Sequence, residues 1–244
     1  MVPSTTPTVL LIGMETRLGK LCQQRLLAEG ISVLGVQAEP DDEMAHHPMD
    51  LSCEDSVLGT INRLAADGPI HAVVNVAGYG YDWEGIALSE VQNQLEKRFF
   101  GAVRVCKAIL PYMQAQSGGL IIQAGNVGGG PQNGPLVPMY EAVRFAIHQM
   151  SDQLNQDLAL HNIEIVSLDA AGHSAPTGEC LWVKTGHDIE LAQVVRRAVK
   201  PLKPEVDQIA GNIVDLVYDR MLLDAGLPQS EAQDCLQLAQ ISDN

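Results

Sequence analysis

Short apolar runs alternate with amphipathic segments along most of the chain, and this alternation limits the fold more than any motif in it. TVLLIG is followed by a helical pattern near 18–29, and ISVLGV by one near 54–66. HAVVNVAG leads to a long helix from about 88 to 115, GLIIQAG to a helix opening near Pro138 and Tyr140, and IEIVSLDA follows that helix. Strands this short and apolar, without polar alternation, suit a parallel sheet buried on both faces. Repeated βαβ units with right-handed crossovers then predict a doubly wound α/β fold. With 244 residues, 46% of them hydrophobic, a single domain over 1–226 is expected, followed by a polar tail over 227–244. IELAQVVRRAVKPL and NIVDLVYDRMLLDAG read as further helices. HSAPTGECLWVKTGHD, about 173–188, mixes Gly, Pro, Thr, Trp and Lys without a period and reads as a lid loop at the carboxyl ends of the strands.

A net charge of −15 argues against nucleic acid as a partner, because phosphate backbones repel an acidic surface. No apolar run approaches the roughly 20 residues that span a bilayer. The N-terminal MVPSTTPTVLLIG has neither a basic start nor a small-residue cleavage pattern, so a cytoplasmic protein with no membrane partner is expected. Cys22, Cys53, Cys106, Cys180 and Cys235 lack C-x-x-C spacing and are odd in number, which suits reduced thiols and no metal site. An anionic ligand would have to rely on backbone N–H groups, a helix N-terminus and a few placed cations.

Two features carry chemistry. Tyr140 and Arg144 lie four residues apart in YEAVRFAIHQMSDQL, so a phenol and a permanent cation share one helical face. A phenol alone titrates near ~10, and a neighbouring guanidinium favours its ionised form, which equips it for proton transfer at neutral pH. The second feature is Gly13-Met14-Glu15-Thr16-Arg17-Leu18-Gly19, between the first apolar run and its helix. In a dinucleotide-binding turn the first glycine allows the sharp bend and the last allows close helix–strand packing, roles that Gly13 and Gly19 fit.

Over about residues 8–220 the chain resembles the short-chain dehydrogenase/reductase family, whose Rossmann-like fold binds NAD or NADP. The family's T-G-x-x-x-G-x-G turn is matched by Ile12-Gly13 and Gly19, with Arg17 at the middle glycine and Leu18 beside the last. Asn75-Val76-Ala77-Gly78 resembles its N-x-A-G element, and Asp50-Leu51 the acidic pair after its third strand that meets adenine. RFFGAVRVCKAILPYM resembles its subunit-contact helix, and Tyr140-Glu141-Ala142-Val143-Arg144 its Y-x-x-x-K. Ala171-Gly172 stands where the family has Pro-Gly beside the nicotinamide amide, with His173 and Ser174 following. The resemblance implies a cofactor set of Gly13, Arg17, Leu18, Gly19, Asp50, Leu51, Asn75, Ala77, Gly78 and Gly172. It also implies a small-molecule substrate and a homodimer or homotetramer.

Four departures bear on the reaction. Asn126 fills the place of the family's catalytic serine, about thirteen residues before the tyrosine; its amide can polarise a carbonyl but does not easily relay a proton. Arg144 replaces the family's lysine, keeping the charge in a planar fork of donors. Arg98 replaces an asparagine that supports a water chain, and Arg17 puts a side chain where backbone approaches phosphate. Arg17 reads either as a clamp on pyrophosphate or a 2′-phosphate, or as bulk that fills the groove. Gln37 and Ala38 stand where the acidic or basic residue that selects NAD or NADP would be, while Glu39, Asp41 and Asp42 lean toward NAD. Tyr79, Tyr81, Asp82 and Trp83 are expected at the substrate mouth. Three functions follow: a divergent oxidoreductase transferring hydride between a nicotinamide cofactor and a carbonyl or alcohol, with Tyr140, Arg144, Asn126 and Arg98 at its centre; a non-redox enzyme using Tyr and Arg as the halohydrin dehalogenase branch does; or a catalytically silent binding or assembly protein.

Overall fold

The computed structural model describes residues 7–38, 47–77, 87–124, 138–168 and 206–224. Its strands are β1 (Thr8–Ile12), β2 (Ser32–Val36), β3 (Ala72–Asn75), β4 (Gly119–Ala124) and β5 (Ile163–Leu168). The helices are α1 (Arg17–Ala28), α2 (Glu54–Ala66), α3 (Leu88–Leu95), α4 (Gly101–Ala115), α5 (Pro138–Leu158) and α6 (Val206–Asp224). All four strand pairings are parallel, in the order β2-β1-β3-β4-β5. The apolar runs of the sequence thus become the strands of a doubly wound sheet, as their composition requires. Of the strand expected before Asp50, the described residues show a parallel bridge between Gln37 and Pro48. Pro48 has no N–H to donate to a continuing ladder, although Met49 donates to Gln37 O at 3.0 Å. The helix expected at IELAQVVRRAVKPL, the lid at 173–188 and the tail at 227–244 lie outside the described residues.

Alternation along the strands divides the core into two layers. Val9 and Leu11 of β1 pack with Val74, Ile122 and Val166 against Leu18, Cys22 and Leu26 of α1 and Ala210, Ile213 and Val217 of α6. Leu10 and Ile12 pack with Val73, Ile121 and Ile165 against Val57 and Ile61 of α2, Val105, Ile109 and Met113 of α4, and Leu158 of α5. Both faces of the sheet are therefore covered by helices. The outer edge of β5 is closed by Asn155, whose Nδ2 donates to Ile165 O and whose Oδ1 accepts the Ile165 N–H, both at 2.7 Å. Among the described strands β5 is outermost, and this side chain satisfies both backbone groups of Ile165. Arg220 of α6, itself buried, donates to Asn162 O and lies 3.9 Å from Glu164, tying α6 to the start of β5.

Among the described residues two buried thiols are held protonated by desolvation: Cys22 is pushed up to about 12 and Cys106 to about 11. On α6 the half-buried Asp219 is also raised, first by desolvation and then by the Asp215 carboxylate one turn away. Raised in the folded state, it contributes no penalty below the ordinary carboxylate range and a full one above its folded pKa. Asp219→Asn is expected to stabilise the protein at pH 7 by a few tenths of a kcal/mol, solvent screening keeping the gain small. The gain should vanish below about pH 3, where the carboxyl is protonated in both states; denaturant midpoints at the two pH values check this.

Candidate active site

The order β2-β1-β3 places a topological switch point between β1 and β3, since the chain winds outward from β1 to β2 and then crosses to β3 on the other side. Ligands of open α/β sheets bind in the crevice at the carboxyl ends of the strands at such a point. The glycine turn leaves β1 here. Gly13 has φ +96°, and a Cβ on it would lie 2.6 Å from the Ala77 N beyond β3. A Cβ on Gly19 would lie 2.2 Å from Gly13 O. Only glycine allows either approach, so the turn is pressed against the N-x-A element. Val76 donates to Ile12 O at 2.9 Å, and Gly13 and Met14 both donate to Val36 O, at 3.0 and 3.2 Å.

Thr16 caps α1: its Oγ1 accepts the Gly19 N–H at 2.9 Å and donates to Gly13 O at 2.8 Å. This satisfies one first-turn amide, while those of Arg17 and Leu18 have no partner within the helix by its geometry. The Leu18 side chain is in the core, so Leu18 offers a ligand its backbone alone. Arg17 is exposed. Its cation adds to the positive end of the α1 dipole. No acidic residue occupies the first turn of α1 to offset it. First-turn amides, a cation and a glycine bend at the switch point suit the pyrophosphate of a dinucleotide.

Asn75 is buried at the end of β3; its Nδ2 donates to Gln123 Oε1 at 2.9 Å, and its Oδ1 accepts the Ala77 N–H at 3.2 Å. Gln123 in turn donates to Cys106 Sγ at 3.5 Å. Asn75 thus locks the tips of β3 and β4 together. Asp50 sits at the far side of the crevice. Its Oδ1 accepts from Ser52 Oγ at 2.6 Å and Ser52 N at 2.9 Å, and the Ser52 hydroxyl is the main reason its carboxyl is held below the usual range. Leu51 packs against the start of α4, where a Cβ on Gly101 would come within 2.9 Å of Leu51 Cβ.

Between α3 and α4 the backbone widens into a π-helical turn over Glu96–Phe100. Such turns are uncommon inside helices and recur at functional sites. Arg98 is at its centre, with Nε and Nη2 withdrawn from solvent. Arg104 braces the turn, donating to Leu51 O at 3.0 Å and Glu96 O at 3.2 Å and pairing with the Glu96 carboxylate. The π turn packs on α5, the helix that carries Tyr140 and Arg144. By the helical period, positions 140, 144, 151 and 155 form one stripe, and Ser151 and Asn155 of that stripe are buried. The side chains of Tyr140 and Arg144, and all of Asn126, Gly78, Gly172, His173, Ser174, Tyr79, Tyr81, Asp82, Trp83, Glu39, Asp41 and Asp42, lie outside the described part of the structure.

Sequence reading passed over Thr16, Glu15, Arg104 and Gln123. Thr16 was legible as a capping threonine three residues before Gly19. The others gave no local signal, because their partners are 8 to 48 residues away or further in sequence.

Comparison with known proteins agrees with this architecture. The short chain dehydrogenase family model matches residues 7–179. A 3-ketodihydrosphingosine reductase from Bacteroides thetaiotaomicron is 29% identical over 163 residues, which are 64% of this chain and 60% of that enzyme. The chain thus spans about three fifths of the length of that curated relative. A short-chain dehydrogenase from Streptomyces avermitilis superposes over 98% of both chains, with a TM-score of 0.64 at 17% identity. A gluconate 5-dehydrogenase from Burkholderia cenocepacia, crystallised with NADP and tartrate, aligns over 67% of this chain and 70% of its own, with a TM-score of 0.56 at 21% identity. With the glycine turn, the Asn75 lock and the Tyr140 helix on one scaffold, and a family model spanning most of the chain, this protein belongs to the short-chain dehydrogenase family.

Proposed function

We propose that the protein is an oxidoreductase that transfers hydride between a nicotinamide dinucleotide and a carbonyl or alcohol. The observation that carries this is the turn at the switch point: Gly13 and Gly19 are seated as a dinucleotide turn requires, and Arg17 is exposed where it can meet a phosphate. The retained outer glycines of the turn favour the redox reading over the dehalogenase-like and silent ones, both of which need no dinucleotide. The family and the NADP held by the Burkholderia relative support it further.

In this reading the Arg17 and Leu18 amides and the Arg17 guanidinium hold the pyrophosphate, with Gly13, Gly19, Ala77, Gly78 and Gly172 leaving room for the cofactor. Asp50 and Leu51 face the adenine, and Asn75 keeps the strand tips in place. The bound nicotinamide supplies or accepts the hydride. Tyr140 gives a proton to the carbonyl oxygen in reduction and takes it back in oxidation. A guanidinium at Arg144, one helical turn on, favours the phenolate that remains. Asn126 donates its amide to the same oxygen, fixing the carbonyl and stabilising the charge it develops. Arg98, on the π turn against α5, adds positive charge to the floor of the site. Exposed Phe100 and Phe145 support assembly as a homodimer or homotetramer through α3–α4 and α5.

Nucleotide binding tests the reading without knowledge of the substrate. Millimolar NADH or NADPH should raise the melting temperature by mass action, with a rise that grows logarithmically with concentration. No rise with any nicotinamide nucleotide would remove the redox function.

A further inference from the structure

The π turn between α3 and α4 is closed by the Gly101 N–H, which reaches back past the α-helical position to Glu96 O. That carbonyl has a second donor. Arg104 Nη1 lies 3.2 Å from it and 3.0 Å from Leu51 O, while Arg104 Nη2 pairs with the Glu96 carboxylate. One guanidinium thus fastens the widened turn to the segment that follows Asp50, and the Arg104 side chain is only 18% exposed where it does so. Leu51 is buried, and the start of α4 is pressed against it closely enough that a Cβ on Gly101 would come within 2.9 Å of Leu51 Cβ. After the Ser52 hydroxyl, the Lys97 and Arg104 cations also hold the Asp50 carboxyl down, so the charge of the turn is felt at Asp50. A π turn has an α-helical competitor, in which Glu96 O would take the Phe100 N–H, and the wider register needs support of this kind.

We infer that Arg104 is a positioning residue that couples a ligand held at Asp50 and Leu51 to the π turn carrying Arg98. The same turn packs on α5, so its register bears on the helix of Tyr140 and Arg144. A ligand that orders Leu51 orders the carbonyl to which Arg104 donates, and through the guanidinium it orders Glu96 O in the π register. The two registers of the turn are the discrete states that such coupling requires, and ligand and guanidinium favour the same one. Arg104 need touch neither the nucleotide nor the reacting atoms.

This inference rests on the proposed nucleotide binding, and ADP, which carries adenine and pyrophosphate without nicotinamide, tests the two apart. Hydrogen exchange of the full chain is measured by mass spectrometry, without ADP and at saturating ADP. ADP should slow exchange at Arg17 and Leu18 and, by at least about fivefold, across 96–104. Arg104→Met keeps the stem and removes the donors. In it ADP should still slow exchange at Arg17 and Leu18, while the ratio across 96–104 falls below about twofold. A brace that only stabilises would let exchange there speed up equally with and without ADP, leaving the ratio as it was. Direct contact between ADP and the turn would also preserve it. A ratio that stays above that level therefore overturns the assignment, as does an unaltered protein in which ADP slows exchange at Arg17 and Leu18 alone. Should Arg104→Met not fold, Glu96→Gln removes the charge pair and should lower the ratio by at least about twofold, an unchanged ratio counting against the coupling. If calorimetry shows binding of neither ADP nor NAD⁺, the inference and the oxidoreductase reading fail together; in every other failing outcome only the inference fails.

Discussion

Tyr140→Phe is expected to lower turnover by a factor of about 10² to 10⁴ while leaving the affinity for nicotinamide nucleotide within about twofold. The substitution removes one hydroxyl and keeps the ring, so packing of α5 should be preserved. The expected split follows from the roles proposed above, in which the phenol acts in the chemical step and the glycine turn would hold the nucleotide. Steady-state rates paired with nucleotide titration of the same preparation check both halves. A comparable loss of nucleotide binding would instead make Tyr140 part of the scaffold. Unchanged turnover would exclude it from the chemistry.

Gly13→Ala should be among the most damaging single-methyl additions available in this chain. The methyl would lie 2.6 Å from Ala77 N and 2.8 Å from both Ala77 Cα and Val76 C, all backbone atoms that no rotamer change can move. It would also force φ +96° on a residue with a Cβ. Left-handed backbone costs about 1–2 kcal/mol, and overpacking against fixed atoms adds about 1–3 kcal/mol. A total near 3 kcal/mol corresponds to a melting temperature lower by about 6–12 °C for a protein of this size. Gly30→Ala is the control. Gly30 has φ +72° but open space around its missing Cβ, so only the backbone cost of about 1–2 kcal/mol should appear. Equal losses in the two variants would mean that the close approach of the turn to Ala77 is not a constraint.

The scaffold was legible in the sequence because it rests on local periodicity. Apolar runs such as TVLLIG and GLIIQAG carry their own strand signal, and Glu54–Ala66 appears where its 3.6-residue pattern puts it. Gly13 and Gly19 were legible too, since a bend and a close approach each demand glycine at a fixed place. The π turn at Glu96–Phe100 was not, because one extra residue per turn leaves the apolar pattern of the 88–115 segment almost unchanged. The bridge between Gln37 and Pro48 was likewise hidden, as strand pairing depends on distant segments. Glu15 shows the same limit in the site: its charge is visible in the sequence, but its seat at Ala38 depends on the turn folding back over β2. For Arg17 the sequence leaves clamp and plug open, because a side chain's direction at a helix start is set by the capping geometry of Thr16 and not by its own identity.

In the proposed function, the chain passes hydride from a bound nicotinamide to a carbonyl, with Tyr140 supplying the proton. The direct measurement is the loss of NADH absorbance on mixing the protein with a panel of ketones and aldehydes, alongside Tyr140→Phe. The account predicts NADH oxidation matched mole for mole by alcohol formed with at least one carbonyl, and its loss in the variant. NADH that binds the protein yet is never oxidised by any carbonyl, or is oxidised equally fast by Tyr140→Phe, would contradict it.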